Sequence, residues 1–284
     1  MHNENPHAAE NLAEIIAKYS LLLIDSWGVL QNGDDILPPG KMLVDYIQNY
    51  SANVVVLTNS PERNSRVRTN ILTLGLDISP DIAVISAGEI AYQDMYAHKK
   101  YRGKKAYIID YDNYSPYFEG LPLVFVNRIE EAELLIVRSI NPDISKVSSY
   151  ADTIQKACAQ GIPIVIINPD EAVQSGTQTF ARPGSILPYC TTNTDILYYG
   201  KPWPRIYSHI EVINPTIEPS KILVIGDSLY TDVLGANLNG YDSLHLIPIN
   251  HSGHDVNTGI FDYMSEDIRN NRSTLLTPTY TVRY

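Results

Sequence analysis

Cysteine is almost absent from this chain, which has only Cys158 and Cys190 among its 284 residues. Neither belongs to a CxxC pair or to a cluster of cysteine and histidine, so their spacing does not indicate a zinc site. A single disulfide bridge stays open as an alternative, but cysteines of this kind are more often small buried apolar residues. We therefore expect two reduced core thiols in a reducing compartment, and a cytoplasmic protein.

Basic residues are scarce as well. Lysine and arginine number 21 against 32 aspartate and glutamate residues, which gives a formal net charge of −11 at pH 7. Proteins that bind nucleic acid or anionic membranes over a broad surface need clustered lysine and arginine. We therefore expect no nucleic-acid partner, although a small anion can still be bound locally.

Long apolar segments are also missing. No apolar run approaches the roughly 20 residues that a helix needs to span a bilayer. The N-terminal residues contain Asn, Glu and His, and they lack the basic region and apolar stretch of a secretory signal peptide. We therefore expect a soluble chain without a membrane partner.

Short apolar runs rich in Val, Ile and Leu alternate with longer amphipathic stretches. This alternation is typical of buried parallel strands that are connected by crossover helices. The clearest strands are predicted at 21–24, 54–57 and 222–225. Helices are predicted at 8–18, 40–50, 63–74 and 231–239, the last ending at Gly240.

The alternation of strands and helices restarts between residues 86 and 189. Strands are predicted there at 106–109, 134–137 and 162–167, and a helix at 150–160 that ends at Gly161. Because predicted strands of the first group lie on both sides of this segment, it is interpreted as an inserted domain. The predicted fold is an α/β protein with a doubly wound parallel-sheet core, residues 1–86 plus 190–284, and an inserted α/β cap, residues 87–189.

Polar residues follow the three predicted core strands at the points where those strands end. Asp25 follows the first strand, Thr58 and Asn59 follow the second, and Asp227 follows the third, with Asp232 shortly after it. In doubly wound sheets, ligands bind at the carboxyl ends of the strands. We therefore expect these side chains to meet at one edge of the sheet.

These residue types suit phosphoryl transfer. A carboxylate at the end of a buried strand can attack a phosphoryl group and form an acyl phosphate, and Asp25 is the predicted nucleophile. Mg²⁺ prefers hard oxygen ligands, which Asp25, Asp227 and the backbone carbonyl of Trp27 would supply. Asp232 completes the predicted metal site by orienting Lys201 or a metal-bound water.

Lys201 would neutralise the nucleophile and the phosphoryl oxygens. Thr58 and the backbone amide of Asn59 would donate hydrogen bonds to the phosphoryl group as its charge shifts in the transition state. Each residue also has an ordinary interpretation: Asp25 as a turn residue, Thr58 as a helix cap, Lys201 as a solvated lysine and Asp232 as a first-turn acid. The ordered set favours the catalytic interpretation.

The same segments resemble the four motifs of the haloacid dehalogenase superfamily, in its subgroup of sugar-phosphate, nucleotide and pyridoxal phosphatases with a large α/β cap. The matching segments are DSWGVL at 25–30, TNS at 58–60, GKP at 200–202 and GDSLYTD at 226–232. The resemblance covers nearly the whole chain. It implies a magnesium-dependent hydrolase that acts on a small phosphorylated metabolite, such as a sugar phosphate or a nucleotide. It also leaves a homodimer open, because caps of this type often support dimers in the family, although the sequence itself does not fix the oligomeric state.

Within the inserted segment, Asn168-Pro169-Asp170 followed by Pro183-Gly184 resembles the substrate-facing segment of the family's cap. In the family this segment lies over the leaving group, so the resemblance implies that Asn168 and Asp170 bind substrate. The same residues are an ordinary turn signal, which the sequence leaves open as an alternative.

The chain departs from the family at Trp27. Phosphatases of the family carry a second carboxylate there, which protonates the leaving oxygen and then activates the hydrolytic water. A positioned acid/base is worth ~10²- to 10⁴-fold in rate, or about 3 to 5.5 kcal/mol of barrier, and an indole cannot replace it. Three interpretations stay open: a phosphatase with weakened turnover, a regulatory protein that binds phosphate and Mg²⁺, and a phosphotransferase. In the phosphatase, either the substrate has a good leaving group that needs little protonation, or Ser26, Tyr230 or Asp232 substitutes through a water.

Overall fold

The computed structural model describes residues 12–49, 53–175, 177–191, 193–248 and 255–284. Its strands, in chain order, are β1 (Leu21–Ile24), β2 (Asn53–Thr58), β3 (Ala83–Ser86), β4 (Lys105–Asp110), β5 (Val124–Phe125), β6 (Leu134–Ser139), β7 (Ile164–Ile166), β8 (Ala172–Ser175), β9 (Gln178–Ala181), β10 (Ile196–Tyr198), β11 (Ile222–Gly226), β12 (Asp242–Ile247) and β13 (Tyr280–Arg283).

The α-helices of the same residues are α1 (Leu12–Ile16), α2 (Pro38–Asn49), α3 (Asn64–Thr73), α4 (Ala87–Ala97), α5 (Ala151–Gln160), α6 (Pro204–Ile213), α7 (Leu234–Leu238), α8 (Glu266–Asn270) and α9 (Arg272–Leu275). A π-helical segment, Leu229–Val233, leads directly into α7. No helix among the described residues is long and apolar enough to cross a membrane.

Contacts divide the chain into two compact units. The first consists of Met1–Thr58, Ser65–Ile85 and Tyr207–Tyr284, and the second of Asn59–Asn64 and Ser86–Ile206. The second unit extends beyond the predicted domain boundary at 189, because β10 pairs in parallel with β7 of that unit. The domain limits predicted from the sequence, 1–86 plus 190–284 and 87–189, stay a prediction.

The first unit contains a six-stranded sheet in the order β13-β12-β11-β1-β2-β3. The chain runs outward from β1 in one direction through β2 and β3, and in the other through β11, β12 and β13. Strand β1 pairs in parallel with both neighbours, so Leu23 lies between Val224 and Val55. The doubly wound α/β fold is therefore confirmed, and the point where the strand order reverses lies at β1.

The core of the first unit explains why these strands are continuous apolar runs. All four residues of β1 are buried, as expected for a central strand that is covered on both faces. One face packs against helices α1, α2 and α3 through residues such as Ile15, Leu43 and Val67. This packing holds the strand ends in fixed positions.

The second unit contains a five-stranded sheet in the order β10-β7-β6-β4-β5 and a separate antiparallel hairpin of β8 and β9. Helix α5 ends at Gly161, whose φ of 67° is left-handed, as the sequence predicts. The predicted strand 162–167 is observed only over 164–166. The predicted helix 150–160 begins one residue later, after a 3₁₀ segment, Ile144–Tyr150.

Two predicted helices include residues outside the described part of the chain, and a third predicted helix starts two residues after its observed beginning. The helix predicted at 8–18 is described only from Leu12, and Tyr50 of the second predicted helix also lies outside the described residues. The helix predicted at 231–239 begins earlier, at Leu229, because the side chain of Ser228 caps it. Strands β3, β5, β8, β9, β10, β12 and β13 are not among the predictions.

We expect Leu22→Ala to lower the free energy of unfolding by about 2 to 5 kcal/mol, because it removes a fully buried side chain and leaves a cavity. Urea denaturation followed by circular dichroism measures this change. Leu238→Ala is the matched control, since that leucine is 36% exposed. Equal losses for the two variants would contradict the assignment of β1 to the core.

Candidate active site

The strand ends of the first unit carry the predicted acidic residues. Asp25 follows β1 directly, and its backbone N–H donates to Ile225 O at 2.9 Å, so pairing with β11 continues past the strand. One Asp25 carboxylate oxygen, Oδ1, accepts the N–H of Ser26 at 2.7 Å. Asp227 follows β11, and the buried Thr58 is the last residue of β2.

The three acidic residues come together. Asp25, Asp227 and Asp232 each offer a carboxylate oxygen, and these oxygens lie within 4.8 Å of one another. We call this group the carboxylate triad. Asp25 and Asp232 are buried, whereas Asp227 is exposed. Because like charges repel at such distances and burial increases the cost of each charge, a bound cation would stabilise the group. Hard carboxylate oxygens are the ligands that Mg²⁺ prefers, so this donor set fits Mg²⁺.

Two glycines allow the triad to form. A Cβ atom on Gly28, whose φ is +84°, would lie 2.0 Å from Oδ2 of Asp227. A Cβ atom on Gly226 would lie 2.0 Å from Cγ of Asp232. Each of these carboxylates therefore packs directly on a glycine backbone, where no other residue fits without displacing it.

The segment between Asp227 and Asp232 is held by several hydrogen bonds. Ser228 N–H donates to Asp232 Oδ2 at 3.3 Å, and Ser228 Oγ accepts the N–H groups of Tyr230 and Thr231, both at 3.2 Å. His245 Nε2 lies 3.0 Å from the carbonyl oxygen of Asp227. A carbonyl only accepts, so Nε2 carries the hydrogen. Burial lowers the pKa of His245, which favours the neutral ring.

Trp27 has a clear structural contact. The far edge of its indole lies against Gly33, where a Cβ atom would be 2.7 Å from Cη2 of the ring. The same loop is held by N–H donation from Leu30 and Gln31 to Ser26 O at 2.9 and 3.0 Å. The indole therefore supports the loop that follows the predicted nucleophile.

The second unit contains the remaining predicted residues. Lys201 and Asn59 are both buried, and they bind each other reciprocally. Lys201 N–H donates to Asn59 Oδ1 at 2.6 Å, and Asn59 Nδ2 donates to Lys201 O at 3.0 Å. Asn59 Nδ2 also donates to Asp170 Oδ1 at 2.7 Å. Asn168 Oδ1 accepts the N–H of Asp170 at 2.9 Å, which is the turn that its sequence indicates.

The structure thus collects the predicted residues into two groups. Asp25, Asp227 and Asp232 form the carboxylate triad of the first unit. Asn59, Lys201 and Asp170 form one hydrogen-bonded network in the second unit, with Asn168 beside them. Thr58 precedes Asn59 in the chain and ends β2. The chemical role of each residue stays a prediction.

Comparison with protein families identifies the chain. A family model described as haloacid dehalogenase-like hydrolase matches residues 22–121, and a model described as HAD-hydrolase-like matches residues 198–247. Between them, the matches contain all three members of the carboxylate triad. The chain belongs to the haloacid dehalogenase-like hydrolases. The hydrolase class implied by the sequence motifs is therefore confirmed.

Relatives of this hydrolase match almost the whole chain in sequence or in structure. An acid sugar phosphatase from Staphylococcus epidermidis is 24% identical over 269 residues, which cover 93% of this chain and 95% of the relative. A haloacid dehalogenase-like hydrolase from Brucella suis has a TM-score of 0.78 at 21% identity, covering 96% of this chain and 98% of that one. A glycerol phosphate phosphatase from Mycobacterium tuberculosis, solved with magnesium, has a TM-score of 0.65 at 21% identity, covering 94% and 76%.

The site of this hydrolase includes contacts that the sequence does not predict. Asp255 accepts a hydrogen bond from Ser228 Oγ at 2.7 Å, although it is far from the fourth motif in sequence. His245 lies on β12 opposite Gly226, where its ring binds the backbone carbonyl of Asp227. Both residues lie on or after β12, a strand that mixes polar and apolar residues. Recognition of β12 as a sheet neighbour of β11 would have placed them near the site.

We expect Gly28→Ala to weaken Mg²⁺ binding by at least about tenfold, because the added methyl group displaces Asp227 from the triad. The rise in melting temperature on adding MgCl₂ measures binding. Gly240→Ala is the matched control, since Gly240 also has a positive φ, +68°, but a Cβ atom there meets nothing within 4 Å. Equal responses of the two variants to MgCl₂ would contradict the role of Gly28.

Proposed function

We propose that this hydrolase is a magnesium-dependent phosphatase of a small phosphorylated metabolite, with a sugar phosphate or a nucleotide as the substrate class. The observation that carries this proposal is the carboxylate triad at the carboxyl ends of β1 and β11. The names of relatives that act as acid sugar phosphatase and glycerol phosphate phosphatase support the substrate class. Turnover is proposed to be slow, because Trp27 replaces the usual acid/base.

In the proposed reaction, an Asp25 carboxylate oxygen attacks phosphorus, the bond to the leaving oxygen breaks, and an aspartyl phosphate forms. Asp25, Asp227, Asp232 and the carbonyl of Trp27 would hold Mg²⁺. When bound, the cation neutralises charge on the carboxylates and the phosphoryl group. Hydrolysis of the acyl phosphate then releases inorganic phosphate and regenerates Asp25.

Thr58, Asn59 and Lys201 are the proposed phosphate-binding residues. The reciprocal hydrogen bonds of Asn59 fix the backbone of Lys201, which restricts the positions open to the ammonium group. Asn168 and Asp170 are the proposed leaving-group residues. The bond from Asn59 to Asp170 supports a link between phosphate binding and this segment.

A second candidate function is a regulatory protein that binds phosphate and Mg²⁺ without turnover. The packing of Trp27 on Gly33 favours it, because position 27 serves the loop rather than proton transfer. A phosphotransferase is a further alternative, in which an added alcohol accepts the phosphoryl group in place of water. All three share the carboxylate triad, so only measured products separate them.

Phosphate release tests the proposed function. We expect inorganic phosphate release with MgCl₂ from at least one member of a panel of sugar phosphates, nucleotides, pyridoxal phosphate and acyl phosphates. Asp25→Asn is the background, since it keeps the shape of the side chain and removes the nucleophile. Release no greater than this background, together with magnesium-dependent thermal stabilisation by a phosphorylated compound, would support the binding protein. Transfer to an added alcohol in excess of transfer to water would support the phosphotransferase.

We expect Trp27→Asp to raise turnover by about 10²-fold or more over Trp27→Asn, because only aspartate restores an acid/base. Both variants lose the indole contact with Gly33, so both should melt at a lower temperature than the unaltered protein. The asparagine variant therefore controls for lost packing. Equal turnover of the two folded variants would contradict the assignment of the missing acid/base to position 27.

The cellular setting and the assembly are proposals as well. Cys158 and Cys190 are free thiols. Burial, together with the neighbouring Cys158, raises the pKa of Cys190 to about 12, which disfavours its reactive thiolate. A reducing, cytoplasmic location is proposed from the scarcity of cysteine in the sequence. A homodimer and the absence of a nucleic-acid or membrane partner remain predictions from the sequence and the family resemblance.

A further inference from the structure

We propose that Asp255 is a positioning residue for the metal site, which it orders through hydrogen bonds to the segment between Asp227 and Asp232. This inference rests on the magnesium site of the proposed function. Asp255 lies outside the four motifs and is not a member of the carboxylate triad. Its effect is therefore exerted through Ser228 and the neighbouring backbone.

Both carboxylate oxygens of Asp255 are engaged. Oδ2 accepts from Ser228 Oγ at 2.7 Å, from Leu229 N–H at 2.7 Å and, more weakly, from Tyr230 N–H at 3.4 Å. Oδ1 accepts from Asn257 N–H at 3.0 Å, which fixes the orientation of the carboxylate. Asp255 therefore holds the beginning of the helical segment that carries Asp232.

Ser228 connects Asp255 to the triad. Its hydroxyl has one hydrogen, which is donated to Asp255, so its lone pairs are directed to the N–H groups of Tyr230 and Thr231. Its own N–H donates to Asp232 Oδ2 at 3.3 Å. One residue thus contacts Asp255 through its side chain and Asp232 through its backbone, and it follows Asp227 directly.

This support matters because the three carboxylates of the triad repel one another. Asp227 is the exposed member, and without a fixed backbone its carboxylate is free to move away from Asp25 and Asp232. His245 holds the carbonyl of Asp227 on one side of the peptide, and the Ser228 contacts hold the other. Loss of the partners that orient metal ligands typically costs about 10- to 100-fold in metal affinity.

The decisive experiment compares Asp255→Ala with Asp255→Asn. The Mg²⁺ dissociation constant is measured by calorimetric titration with MgCl₂, and the melting temperature is measured without Mg²⁺. Asparagine keeps an oxygen that can accept from Ser228 and Leu229, whereas alanine keeps none. We expect the dissociation constant to rise about 10-fold or more for alanine and less than about 3-fold for asparagine.

Asp143→Ala is the matched control. Asp143 also caps a helical segment, since its side chain accepts the N–H of Ser145 at 2.9 Å, but it lies in the second unit. We expect this variant to bind Mg²⁺ like the unaltered protein. Ser228→Ala provides a second route if Asp255→Ala does not fold, because it removes the same hydrogen bond from the other side.

The outcomes are distinct. Unchanged Mg²⁺ affinity with a lower melting temperature for Asp255→Ala would overturn the proposal, because the residue would then support only the fold. Equal weakening by asparagine and alanine would also overturn it, because charge rather than hydrogen-bond geometry would be responsible. If Asp255→Ala does not fold, unchanged affinity in Ser228→Ala overturns it. Failure of the unaltered protein to bind Mg²⁺ would contradict both this inference and the proposed magnesium site. Phosphatase activity is tested separately, by comparison with Asp25→Asn.

Discussion

Electrostatic repulsion among Asp25, Asp227 and Asp232 is the constraint on which the first unit's site depends. Parallel strands bring their carboxyl ends to one edge of the sheet, and here two of those ends deliver acidic side chains to the same place. The sheet supplies this arrangement through its apolar core, which makes the positions of the strand ends inflexible. Stability of the fold thus compensates for an unfavourable cluster of charge, which a bound cation would neutralise.

Close backbone contact is the second requirement. Gly28 and Gly226 let carboxylates approach the chain more closely than any side-chain-bearing residue would allow. Ser228, His245 and Asp255 then fix the backbone between the acidic residues. The first and fourth motifs therefore pack directly against each other, since Gly28 of the first motif contacts Asp227 of the fourth.

Much of this could be predicted from the sequence. Strand β1 matches its predicted limits, and the acidic residues of the triad were identified because continuous apolar strands ending in polar clusters have few other interpretations. Strand β12 was missed because its polar and apolar residues do not form such a run. Asp255 was missed with it, since contacts between a loop and a distant motif leave no periodic signal. The position of β10 likewise depends on its pairing with β7, which is not visible locally.

The pairing of Asn59 with Lys201 has a consequence for protein engineering. These residues are far apart in the chain, yet each satisfies the other's backbone or amide groups within the second unit. A chimera that transplants residues 86–206 from one relative into another would separate Lys201 from Asn59, with which its backbone forms two hydrogen bonds. Residues 59–64 belong to the same compact unit, so the exchangeable module is discontinuous and includes that short stretch.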